Sequence, residues 1–169
     1  MNFDIGDNII YGGNGLCKIS EIKDMSFFNE APKKYYVLEP MFVKNASTMY
    51  VPLDNDIMVG KMQNVITVDE AMDLIKSLNS CDTTWIEDRN VRKDTFNSII
   101  AKGSRKDIMK VIKTILSHKD EISKEGKRLN MQDDKALTEA MNRINCELAF
   151  VLDMDIEEVP AFVRQTAYS

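Results

Sequence analysis

Asn8-Ile9-Ile10-Tyr11-Gly12-Gly13-Asn14-Gly15-Leu16-Cys17-Lys18-Ile19-Ser20-Glu21-Ile22 places two β-prone runs on either side of a glycine-rich tetrapeptide. Branched and aromatic side chains suit a pleated, half-buried surface, and Asn-Gly tolerates the positive φ of a tight reversal. The stretch therefore predicts a β-hairpin. The tetrapeptide also resembles a phosphate cradle, but it leads into another strand and not into a helix N-terminus, which removes that reading. Working outward, residues 34–39 (Lys-Tyr-Tyr-Val-Leu-Glu) and 48–52 (Thr-Met-Tyr-Val-Pro) carry the same signal, and residues 41–44 are a further candidate. Four or five short strands in about 60 residues predict a small, bent sheet or SH3-like barrel.

The hydrophobic period changes near residue 66. Thr67 and Glu70 form a capping box ahead of a helix whose apolar face is Val68, Ala71, Met72, Ile75 and Leu78. A second helix is expected over residues 87–101, with Gly103 as its C′ residue. Ser104 and Asp107 form another capping box. They open a third helix that runs to about residue 122, with Ile108, Val111, Ile112 and Ile115 facing the core and Lys106, Lys110 and Lys113 opposite. A long helix over residues 131–152 presents Leu137, Ala140, Met141, Ile144, Leu148 and Val151, and a short one with Pro160 near its start closes the chain. The fold class is α+β: a β domain over residues 1–65, then an all-α domain of about five helices over residues 66–169. The junction Asn64-Val65-Ile66 is too short and apolar for a free linker, so restricted interdomain motion is expected.

The 169 residues carry a net charge of −5, which argues against non-specific nucleic-acid binding by the whole chain. The charge is uneven, however. Between Trp85 and Lys113, eight basic residues stand against four acidic ones, whereas seven face eleven from Thr114 onward. Arg89, Arg92, Lys93, Lys102, Arg105, Lys106, Lys110 and Lys113 thus form a local cationic stretch, which is either a binding face or a solvated surface of internal ion pairs. Trp85, the sole tryptophan, stands just ahead of it and either caps a small core or wedges against something flat and anionic.

Signals for catalysis are weak. The only histidine, His118, has no evident partner in sequence and reads as a surface residue. No P-loop occurs, and Asp153 and Asp155 lack the remaining ligands of a calcium loop. Cys17, Cys81 and Cys146 are odd in number and widely spaced, so no zinc site or disulfide frame is expected. No cofactor and no metal are implied. No apolar run approaches the roughly 20 residues of a membrane span, and the first residues lack a secretory pattern, so a cytoplasmic location is expected.

The spacing Phe3-x-x-Gly6-Asp7-x-x-x-Tyr11-x-x-x-Gly15 resembles the opening of CarD-like (CdnL-type) bacterial transcription regulators, as do Tyr36-x-Leu38, Val51-Pro52 and Val59-Gly60. Trp85 ahead of a basic helix, Gly103 between two helices and Glu147-Leu148-Ala149 resemble the same family's helical domain. The resemblance implies a Tudor-like β domain that docks on the RNA polymerase β subunit. It also implies a helical domain at the upstream edge of the promoter bubble, where the tryptophan wedges into the minor groove and modulates open-complex stability. On that basis Trp85, Arg89, Arg92, Lys93, Lys102, Arg105, Lys106 and Lys110 are the expected DNA-binding residues, making phosphate and minor-groove contacts with little sequence specificity. Lys23, Met25, Met49, Tyr50, Val51 and Pro52 are the expected polymerase contacts. The expected protein is a monomer, associated with the nucleoid through RNA polymerase. The chain departs from the family pattern at Ile86-Glu87-Asp88, which makes the approach to the basic helix acidic, and at Tyr50 and Met25, where relatives place basic polymerase contacts. The alternative is a protein-only adaptor bridging polymerase and a second protein. On sequence alone, Trp85→Ala is expected to leave the fold largely intact.

Overall fold

The computed structural model describes residues 2–168, and the chain forms two compact units, Met1–Val65 and Ile66–Ser169. The first is a five-stranded antiparallel sheet. Its strands are β1 (Asn8–Tyr11), β2 (Leu16–Met25), β3 (Lys33–Pro40), β4 (Met49–Pro52) and β5 (Met62–Asn64), in the order β4-β3-β2-β1-β5. Alternation puts Ile9, Tyr11, Cys17, Ile19, Tyr36, Leu38, Val51 and Met62 on one face, where with Phe3 they form a buried core. Ser20 is the extra residue of a β-bulge, since Ile19 pairs with Leu38 and Glu21 with Val37. Such a bulge bends the strand, which lets a small sheet curl over its own core.

The first hairpin forms, but its turn is not a two-residue Asn-Gly reversal. Gly12–Asn14 make a 3-10 turn, positive φ falls on Gly12 (48°) and Gly15 (74°), and the Tyr11 N–H donates to the Gly15 carbonyl at 2.9 Å. Residues 41–44 form no strand, because Phe42 and Asn45 take left-handed backbone (φ 64° and 59°) that breaks an extended run. β5 and a single helical turn, α1 (Asp56–Val59), are present without having been expected from sequence.

The second unit holds α2 (Val68–Ser77), α3 (Arg89–Lys102), α4 (Arg105–Ser123), α5 (Met131–Val151) and α6 (Val159–Ala167). Both capping boxes form, at Thr67/Glu70 and Ser104/Asp107. α3 starts two residues later than expected, with the Asp88 carboxylate accepting from the Asn90 and Val91 N–H groups. Gly103 is not left-handed (φ −70°, ψ 163°). Glycine suits this place because a Cβ would lie 2.5 Å from the Ile99 carbonyl oxygen. Ile75, Ile108, Ile115, Ile144, Leu148 and Val159 are fully buried at the centre of the unit.

Burial also sets the reactivity of the thiols. It pushes Cys17 from its ordinary 9.0 up to about 11 and raises Cys146 in the same direction. Only Cys81 is half-exposed. Alkylation at pH 8 is therefore expected to label Cys81 first and the other two only on unfolding, which mass spectrometry of the labelled peptides checks. Because the folded pKa of Cys17 is the higher one, its protonated thiol favours the folded state fully below pH 9, and that contribution is lost as pH rises from 9 toward 11.

Candidate nucleic-acid and polymerase interfaces

Trp85 sits in the irregular segment between α2 and α3, and two basic side chains hold that segment in place. Lys113 on α4 donates to the Leu78 carbonyl (2.5 Å) and the Cys81 carbonyl (2.9 Å). Arg92 on α3 donates to the Ile86 carbonyl (2.8 Å) and the Glu87 carbonyl (3.2 Å), immediately after the tryptophan. The remaining guanidinium donors of Arg92 meet the Asp133 carboxylate in a two-pronged bridge at 2.9 and 3.0 Å. Asp133 lies in the first turn of α5 and also accepts from the Asn130 side chain at 2.6 Å. Arg92 is 5% exposed and Asp133 4%.

The indole is half-buried and engaged on several sides. The Arg92 guanidinium carbon stands 4.5 Å from the ring centroid, Phe96 meets the ring edge-on at 6.1 Å, and His118 stacks parallel to it at 3.6 Å with an interplanar angle of 6°. This corrects one expectation: His118 is no free surface histidine, since it lines the tryptophan seat. The ring also packs against the core of the helical unit, so Trp85→Ala is expected to destabilise that unit.

The cationic residues divide into two sets. Arg92 is spent on Asp133 and the backbone, so it is not available to phosphate as expected. Arg105 is half-buried and bridges Glu147 at 2.7 Å, and the same carboxylate accepts from the Ile66 N–H at 3.1 Å. Its role as a DNA contact is likewise corrected to that of an internal ion-pair partner. Beside this pair, Arg143 donates to the Ile100 carbonyl, and burial together with the Arg105 charge lowers its pKa. Lys113 is turned inward. Arg89, Lys93, Lys102, Lys106 and Lys110 stay exposed, with Arg89 reaching Gln132 at 3.3 Å. Lys93 and Lys102 are about half a revolution apart on α3, so the exposed cations do not make one continuous stripe.

Sequence periodicity held an unread signal for each internal residue. Arg92, Phe96 and Ile100 recur every four residues on one helix face, and His118 follows Ile115 by three and Val111 by seven. Asp133 and Glu147 lie on the Leu137–Ile144–Leu148 face of α5. A charge on an apolar stripe marks an internal ion pair sooner than a solvated one.

In the β unit, β4 is an edge strand paired only with β3. Of the expected polymerase contacts, Tyr50 is exposed and Met25 and Pro52 are half-exposed. Lys23 is exposed and paired with Glu21 at 3.1 Å, while Met49 packs partly against the core. Val51 is fully buried in that core, so its side chain cannot meet a partner and only its backbone is on the edge.

A small bent sheet with an unpaired edge strand offers ready backbone donors and acceptors, which is the architecture of a protein-binding module. Residues 3–66 match the family model of the CarD-like/TRCF RID domain, a family of RNA polymerase-interacting domains. The match covers nearly the whole of the N-terminal unit and none of the helical unit beyond Ile66. No curated protein matches the chain. Among the described residues no helix is long and apolar enough to cross a membrane, and no group of His, Cys, Asp and Glu is placed to hold a metal ion.

Proposed function

We propose that this protein is a CdnL-type regulator that docks on the RNA polymerase β subunit through the β4 edge and modulates promoter opening through its helical unit. The family of the β unit carries the first half of this reading, and the unpaired edge at Met49–Pro52 supports it with a surface for strand addition. Exposed Arg89, Lys93, Lys102, Lys106 and Lys110 support the second half, since they can neutralise phosphates without reading sequence. Trp85, held against α3 by the Arg92 clamp, is the group we assign to the upstream edge of the bubble. There an indole wedged at a parted base step favours the open state over duplex.

The test compares open-complex lifetime with and without the protein, and with the triple variant Lys93→Glu, Lys106→Glu, Lys110→Glu. Polymerase binding by the variant is expected to match the wild type, while its effect on lifetime falls. The salt slope of DNA binding is expected to shrink by about one for each phosphate that is no longer neutralised. A variant that acts and responds to salt as the wild type does removes these lysines from the DNA interface. The protein-only adaptor remains a second reading on one observation: Arg92, Arg105 and Lys113, three of the eight cations, are consumed inside the helical unit. Polymerase binding without any effect on lifetime would select it.

A further inference from the structure

The tip of the β2–β3 hairpin combines two unfavourable features in one residue. The Glu30 N–H donates to the Phe27 carbonyl at 3.0 Å, closing a turn around Phe28 and Asn29, and the Ser26 hydroxyl donates to the Glu30 carbonyl. Both central residues are left-handed, with φ 53° at Phe28 and 61° at Asn29. Such a turn favours Asn or Gly at its first central position, because a Cβ there crowds the following carbonyl. The position is instead filled by phenylalanine, whose ring is 96% exposed. The strained backbone thus carries an apolar ring that gains no burial, and nothing in the chain's own folding accounts for it.

The ring's surroundings say what does. Neighbouring Phe27 packs edge-on against Tyr35 at 5.3 Å and tilted against Tyr50 at 5.7 Å. Tyr35, Tyr50 and Pro52 share the sheet face opposite the buried core, as the pairs Tyr35–Pro52 and Val37–Tyr50 require. An aromatic floor therefore runs from the hairpin tip to the exposed edge strand, and Phe28 adjoins its end. Aromatic anchors of this kind dominate binding energy when they enter a pocket beside a main-chain contact.

We propose that Phe28 is an anchor residue that inserts into an apolar pocket of the polymerase β subunit, next to the segment that adds to β4. This rests on the polymerase-docking reading above. The left-handed turn leaves the ring exposed to a partner, and the Phe27–Tyr35–Tyr50 floor packs under that partner around it.

The test exploits the strain. In Phe28→Asn and Phe28→Gly the backbone conformation is retained more easily than in the wild type, so the full-length chain should unfold at the same temperature or higher. Affinity for purified RNA polymerase, measured by biolayer interferometry, should fall roughly tenfold or more. Phe28→Leu should recover part of it. Unchanged affinity in the Asn and Gly variants overturns the anchor and leaves polymerase docking standing. A lowered unfolding temperature assigns Phe28 to folding and also overturns it. A wild-type chain that fails to bind polymerase brings down the docking reading and the anchor together.

Discussion

Asp133→Ala is expected to unfold the helical unit or to leave it marginal. The substitution removes both carboxylate oxygens that the Arg92 guanidinium meets, and Arg92 is 5% exposed, so a positive charge is left buried without compensation. Breaking a buried pair from one side costs about 3–5 kcal/mol, a large part of the stability of a unit this size. The Asn130 amide loses its acceptor in the same step. Urea denaturation followed by Trp85 emission reads the effect directly, because the only tryptophan lies in this unit. With a slope of about 1–2 kcal/mol per molar, the midpoint should fall by about 2 M or more. Arg92→Met with Asp133→Leu, which removes both charges, should recover much of the loss. A midpoint within about half a molar of the wild type for Asp133→Ala would show that water reaches the pair and that its burial is not what holds the unit.

Trp85→Ala is expected to have two separable consequences. The first is structural: truncating a buried tryptophan costs about 3–5 kcal/mol, and a half-buried one about 2–4. The ring also gives up its stack on His118 and its contact with Arg92. For a unit of this size that corresponds to a fall in thermal midpoint of about 10–20 °C. The second is functional, loss of the effect on open-complex lifetime, and it must be read well below the lowered midpoint. His118→Ala distinguishes the two. It strips the stack but keeps the indole, so it should destabilise moderately and retain the effect on lifetime. If His118→Ala abolishes that effect as fully as Trp85→Ala does, the seat matters and not the wedge. A thermal shift under about 2 °C for Trp85→Ala would contradict a stabilising role for the packed ring.

The elements that were legible in sequence are those whose signal is local. The Ser104/Asp107 box and the apolar face of α5 need only neighbouring residues, and they formed where expected. β5 has only Met62 to bury, in three residues, and exists because β1 pairs with it across fifty residues of chain. No periodicity can show such a strand. Residues 41–44 failed for the opposite reason: β-prone side chains sit on a backbone that Phe42 and Asn45 turn left-handed. At the candidate site, counting charges found the cationic stretch but not its division. Whether an arginine serves the surface or the interior depends on the helix face it occupies, and Arg92 differs from Arg89 by three residues and from Lys93 by one.

The edges of the β unit also bear on what happens when no partner is present. An unpaired strand is a template for any other unpaired strand, including one from a second copy of the same chain. Here β4 has four residues and ends on a proline that cannot donate, and β5 has three. A copy added to either edge would gain only a few main-chain bonds before meeting a turn. Edges this short are expected to keep concentrated protein from propagating strand upon strand into a fibre, even where one of them accepts a docked segment.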